Sequence, residues 1–172
     1  VPISVITPPV AEPITVDQAK DWLKIDFDND DEMIAMLISA AREKAEHYCN
    51  ARFVTTTVKE TFSPSSIMVT TAVGPNVAGI VVGSDGETLV LGTDYTVKTD
   101  DRQTLIHVLN RQEEALEVTY TAGYGTANDV PTAIKQAILL TVSDYYENRV
   151  DAVRSLPTAS AHLLNAYRRW TS

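Results

Sequence analysis

The chain has 172 residues, 44% of them hydrophobic, enough to bury a core as one domain or as one domain with a sizeable insertion. Its formal charge of −9 argues against a protein that grips nucleic acid through phosphates, which needs clustered Lys and Arg. No apolar run approaches the roughly 20 residues of a membrane span, and Cys49, the single cysteine, excludes an intrachain disulfide or a cysteine zinc cluster and fits a reducing assembly site such as a cytoplasm.

The opening, VPISVITPPVAEPIT, lacks the basic and apolar regions of a secretory signal. Its prolines (Pro2, Pro8, Pro9, Pro13) predict an extended arm over residues 1–14. Thr15 and Gln18 then have the spacing of a capping box. They start a short helix, about Val16 to Lys24, expected to turn Ala19, Trp22 and Leu23 inward, with Ile14 stapled onto Ala19. After DFDNDDE (Asp26 to Glu32) the spacing predicts a second helix, about Asp30 to Cys49. Its seam is Ile34, Leu37, Ile38, Ala41, Ala45 and Tyr48. Asn50 is a left-handed stop.

The period then changes from 3.6 to 2. Phe53 to Phe62 alternates Val54, Val58 and Phe62 against Thr55, Thr57, Lys59 and Thr61. Further strands are expected at Ile67–Thr71, Val77–Val82, Thr88–Leu91, Tyr95–Lys98, Thr104–Leu109 and Leu116–Thr121. Turn chemistry separates them at Gly74-Pro75-Asn76, Ser84-Asp85-Gly86, Gly92-Thr93-Asp94 and Asp100-Asp101-Arg102. At Gly123-Tyr124-Gly125 the glycines permit angles a side chain would forbid. Asn128, Asp129 and Pro131 are the capping residues of a third helix with a wide apolar stripe, Ile134, Ala137, Ile138, Val142, Tyr145 and Tyr146, flanked by Leu139 and Leu140. Beyond Pro157 a short helix should carry Leu163, Leu164 and Tyr167 on one side, followed by Arg168, Arg169 and Trp170, and so apolar a tail is expected either to pack on its own domain or to insert into a neighbouring chain.

Together these elements predict an α+β fold. A helical core of two N-terminal helices and one long C-terminal helix (15–52 and 122–149) is interrupted by an antiparallel β-sandwich or barrel-like insertion (53–121). Arms extend from both ends (1–14 and 150–172). Charge is uneven: residues 1–130 hold 20 acids and 9 bases, whereas residues 131–172 hold 3 acids and 5 bases, so the basic end is expected to make a separate contact.

A search for chemistry finds none. Asp26, Asp28 and Asp30 match the first positions of a calcium loop, but Asp31 stands where that loop needs Gly and Leu37 where it needs Glu. Acids at a helix N-terminus, favoured by the macrodipole, are the simpler reading. His47, His107 and His162 are dispersed, Ser84 sits in a hairpin turn, and Glu113-Glu114 reads as solvated charge. No nucleophile, base and oxyanion donor come together, so neither an enzyme nor a cofactor is expected.

Three runs resemble one known family, the head–tail connector (adaptor or head-completion) proteins of tailed bacteriophages, prophages and gene-transfer agents. ITVDQAKDWLKIDFDNDDEMIAMLISAAREKAEHYCNA is similar to its opening helix pair. VTYTAGYGTANDVPTAIKQAILLTVSDYYENR is similar to its Y-x-A-G-Y-G and V-P signature, and LPTASAHLLNAYRRW to its closing run. The chain departs from many relatives at Cys49-Asn50-Ala51-Arg52, a change in helix termination. The resemblance implies a structural virion protein of the neck, assembled in the host cytoplasm, with no catalytic residues and no membrane. It implies a ring beneath the portal protein, dodecameric and templated by the portal, that extends the DNA channel and docks a stopper or tail-completion protein.

In that role the ring needs head-to-tail self-contacts, and an acidic wall lets DNA pass without sequence-specific binding. Asp26, Asp28, Asp30, Asp31, Asp100 and Asp101 are the expected channel-bordering acids. Leu156, Pro157, Leu163, Leu164, Tyr167, Arg168, Arg169 and Trp170 are the expected contacts to portal or neighbour, strengthened by ring avidity. A stop after Pro157 is then expected to leave a folded monomer that no longer joins the portal. The alternatives are another neck component, a stopper or tail-completion protein, or a carbohydrate-binding module using Tyr95 and Tyr120.

Overall fold

The computed structural model describes residues 2–64, 66–99, 103–110, 113–148 and 156–169. The elements run β1 (Ile3–Thr7), α1 (Val16–Leu23), α2 (Asp31–Cys49), β2 (Thr56–Phe62), β3 (Met68–Thr70), β4 (Ala78–Ser84), β5 (Glu87–Thr88), β6 (Tyr95–Thr99), β7 (Thr104–Val108), β8 (Leu116–Ala122), α3 (Thr132–Glu147) and α4 (Thr158–Asn165). This is the α+β arrangement that the change of period implied.

The start of α1 follows directly from local chemistry. Thr15 Oγ1 accepts from the Gln18 amide at 3.2 Å, and Gln18 Oε1 accepts from the Thr15 amide at 3.0 Å. Ile14 and Ala19 are both buried beside it. Trp22 corrects the inward expectation: its ring is 43% exposed, and its indole N–H donates to Ser143 on α3 at 2.9 Å. The indole needs a partner for its one polar atom, and Ser143 lies at the rim of the core, not in it. α2 ends where Asn50 adopts φ 50°, as its side-chain type favours.

Entry into α3 differs in detail from the expected caps. Asp129 accepts from the Thr126 amide and hydroxyl, closing a short 3₁₀ turn over Ala127–Asp129. α3 itself begins after Pro131. Ile134, Ala137, Ile138, Val142 and Tyr145 are buried as the stripe predicts, and Thr141 joins them by bonding back to the Ala137 carbonyl.

The strands form two antiparallel sheets, β1-β2-β8-β4-β5 and β3-β7-β6. Val58, Val82, Leu116, Val118 and Tyr120 of the first share one apolar cluster with Val69, Tyr95, Ile106 and Val108 of the second. The insertion is therefore a sandwich and not a closed barrel. A second cluster unites the helices with Phe53 and Val54. Those two residues were expected to open a strand; instead they plug the helical core, and the strand starts at Thr56. The expected strand Thr88–Leu91 shrinks to Glu87–Thr88, because Asp94 captures the Val90 amide through its own side chain at 2.8 Å.

Residues 50–55, 74–75 and 123–125 stitch the two clusters together. Arg52 donates its amide to the Gly74 carbonyl, Gly123 to Pro75, Tyr124 to Phe53 and Thr55 to Gly125. Gly123 has φ 141°, and a Cβ there would stand 2.7 Å from the Thr55 nitrogen and the Val54 carbonyl carbon. Both are backbone atoms that cannot swing aside. Gly123→Ala should therefore cost about 2–4 kcal/mol of stability, combining a positive-φ penalty with overpacking, as read by chemical denaturation. Gly86→Ala supplies the control, since nothing lies within 4 Å of its added Cβ and only the conformational penalty remains.

Candidate interaction surfaces

Among the described residues no cluster of His, Cys, Asp or Glu could hold a metal ion, and no helix is long and apolar enough to cross a membrane.

The acidic stretch before α2 is tied to its own chain. Lys20 on α1 lies 2.5 Å from Asp28 and 2.8 Å from Asp31, and the Asp28 bond above all holds the ammonium pKa above its ordinary value. The Tyr146 hydroxyl donates to Asp30 at 2.6 Å. Asp26 and Asp28 face solvent, while Asp30 and Asp31 are partly covered. Asp100 and Asp101 lie outside the described residues, as does Trp170.

The C-terminal segment is built into the fold. Leu164 is fully buried in the helical core, with Leu156, Leu163 and Tyr167 packed partly against that core. Ser160 is buried and donates to the Ala137 carbonyl at 3.0 Å. Tyr48 donates to Asn165 at 2.6 Å, and the Asn50 side chain donates to the Arg169 carbonyl at 2.9 Å. The Arg169 amide closes the loop onto the Cys49 carbonyl at 2.8 Å. Arg168 lies over the Tyr48 ring at 4.9 Å, a cation–π contact, and Tyr167 meets Tyr124 edge-on at 6.4 Å. The Arg169 guanidinium rests against Gly74, filling the space a Cβ would need. Pro157 introduces α4, whose exposed side carries Ala159, His162 and Asn165.

Two buried carboxyls carry no prior signal as site residues. Glu46, on α2, accepts from the Phe53 amide at 2.8 Å and from Arg42, which in turn reaches Glu12 at 2.7 Å. Burial raises the Glu46 pKa against the pull of Arg42 and Arg52. Glu60 is fully buried on β2, accepting from the Tyr120 hydroxyl and from the Ala72 amide at 3.0 Å. Strict alternation with Val58 and Phe62 would have turned Glu60 inward; its charge had hidden that. Cys49 is buried too, and desolvation pushes its thiol up to about 12, so it is inert.

An exposed apolar patch sits at one end of the three-stranded sheet. Ile67, Met68, Val90, Leu91 and Leu109 are 46–65% exposed. Backbone bonds hold them together: Val108 donates to Ile67, Leu109 to Asp94, and Asp94 to Val90. Tyr95 and Tyr120, in contrast, are buried, which removes the aromatic platform a glycan would stack on.

A family model described as "Head completion protein" matches residues 12–169. The chain belongs to the head completion protein family. Such proteins are structural components of virions, so the chain is no enzyme. Three solved structures share its fold. A chain from the virion of a native gene transfer agent particle superposes with TM-score 0.80 at 19% identity, covering 100% of this chain and 97% of that one. Chains from the neck of an empty particle, computed with C6 symmetry, and of a native particle, computed with C12 symmetry, each give TM-score 0.78 at 18% identity with the same coverage. No curated protein sequence matches this head completion protein.

Proposed function

We propose that this head completion protein is the head–tail connector subunit of a tailed phage or gene-transfer particle. Copies would form a closed ring beneath the portal, continue the DNA channel and offer a platform to the next neck protein. The observation that carries the reading is a fold match along the whole chain to a chain from the neck of a gene transfer agent particle, a neck computed with twelve-fold symmetry. A ring of such subunits requires two different self-surfaces per copy. The net charge of −9 suits a conduit that must not hold phosphate, with Asp26 and Asp28 as solvent-facing acids toward the channel.

The portal contact is assigned to the α4 segment around Leu156, Pro157, Leu163 and Tyr167, with Arg168 and Arg169 at its edge. Leu164 would support that surface from beneath. The docking platform is assigned to the apolar patch of Ile67, Met68, Val90, Leu91 and Leu109, each of which is exposed.

The test is complementation of a gene deletion in the particle-producing strain, followed by electron microscopy of the products. Loss of the protein should give DNA-filled heads without tails, and the protein should co-purify with the portal. The double variant Met68→Asp, Leu91→Asp should fold and reach the head but fail to recruit the next component. Two buried side chains at ~1.5–3 kcal/mol each correspond to a loss of at least about 100-fold in affinity. Co-purification with the tail alone, and not with the portal, would replace this reading with that of a stopper or tail-completion protein.

A further inference from the structure

β1 is an unusual strand. Three of its five residues are large and apolar, yet every one is exposed: Ile3 at 42%, Val5 at 49% and Ile6 at 55%. It lies at the edge of its sheet, in register with β2 at Ile3–Glu60, Ser4–Lys59 and Val5–Val58, with an irregularity before Thr7–Thr57. Ile3 and Val5 share the sheet face of Val58, which is fully buried, but among the described residues no second layer covers them to the same extent. The strand is thus held by its backbone ladder with little side-chain burial.

The connection to the rest of the chain has matching features. Pro8, Pro9 and Pro13 keep it extended, and Val10 is 96% exposed. The fixed point is Glu12, bonded to Arg42, with Ile14 buried just after it. The four residues Pro8 to Ala11, at about 3.1 Å each, let β1 travel roughly 12 Å from that anchor. Between the strand and α2 lies a cleft of about 410 Å³, bordered by Val5, Pro8, Pro9, Arg42 and His47, so the arm does not pack down on the helix behind it.

We propose that β1 is an exchangeable strand, and that in the assembled ring each subunit's β1 pairs with β2 of the adjacent copy. The inference rests on the ring reading above. An exchanged strand makes the same ladder as the intramolecular one, so the swap costs little beyond association entropy. The occupant is a second copy because the β2 edge is already shaped, in register and in bulge, for this sequence. A ring also supplies a neighbour at fixed distance, which raises its effective concentration. Exchange would join the copies in the head-to-tail sense that ring closure needs, and would bring Ile3 and Val5 against a neighbour's surface.

The experiment uses Ser4→Cys and Lys59→Cys, which face each other across the ladder at exposed and partly exposed positions. Particles are assembled with the double variant, or with differently tagged single variants co-expressed, and treated with a short bismaleimide; the buried Cys49 stays unreactive. Exchange predicts a ladder of covalent multimers from the double variant and a linked heterodimer from the two singles. An internally linked monomer from the double variant, with no heterodimer from the singles, overturns exchange while leaving the ring intact. Incorporation is scored first by immunoblot of purified particles, and a wild-type chain absent from them overturns the ring reading and this inference with it.

Discussion

A stop codon after Pro157 is expected to unfold the helical unit. The sequence alone favoured the opposite outcome, a folded subunit lacking only its arm. The structure reverses this because α4 fills the core: Leu164 is fully buried, Ser160 bonds into α3, and residues 165–169 bond to Tyr48, Cys49 and Asn50. Leu164→Ala alone should cost ~2–5 kcal/mol. Against a typical total of ~5–15 kcal/mol, losing the whole segment leaves little cooperative stability. Circular dichroism melting and proteolysis of the truncated chain would check it; a sharp transition near that of the full chain would show that α4 is a detachable arm after all. His162→Ala, on the exposed side of α4, should change stability by no more than ~0.5 kcal/mol, which separates surface effects from core effects.

The second large effect is expected at Glu60. Its carboxyl takes the Tyr120 hydroxyl and the Ala72 amide inside the sandwich. Glu60→Leu leaves both donors buried without an acceptor and should cost about 2–4 kcal/mol. Glu60→Gln keeps an acceptor and should cost much less than Glu60→Leu. Burial, the largest influence, raises the Glu60 pKa above the ordinary 4.5, although its hydrogen bonds pull it down. A carboxyl with a raised folded-state pKa binds more protons folded than unfolded. Its contribution is complete below the unfolded-state pKa and is lost as pH rises through the folded-state value.

Glu46 shifts in the same direction, also chiefly through burial. Denaturation of the wild type and Glu60→Gln between pH 4 and 8 should show the variant gaining on the wild type from about pH 4.5 upward. A constant difference across that window would mean that Glu60 has no raised pKa. Because Glu60 also sits opposite Ile3 on β1, its protonation and the edge ladder are neighbours in space.

Much of the fold was legible where chemistry is local. The capping box at Thr15 and Gln18, the left-handed stop at Asn50 and the glycines around Tyr124 depend on neighbours a few residues away, and each formed as read. The α2 and α3 seams also followed, since a 3.6-residue period needs only the helix itself. Trp22, Phe53 and Glu60 were misread or missed because their surroundings come from distant segments. Trp22 answers to Ser143, Phe53 to the helical core it plugs, and Glu60 to Tyr120 and Ala72. Arg168 and Arg169, expected to contact the portal or a neighbour, meet Tyr48 and Gly74 within the subunit.

By itself, then, the sequence determined most element types, their order and the family, although it read the segment of β1 only as an extended arm. Periodicity, caps and short motifs are properties of contiguous residues. Only the tertiary structure decided which apolar segments are core and which are surface. α4 and β1 look alike in composition, short and apolar near proline, but α4 has α2 and α3 to pack against whereas β1 has only the edge of a sheet. Burial depends on whether a second layer exists opposite a side chain, and that layer is assembled from elements separated in the sequence.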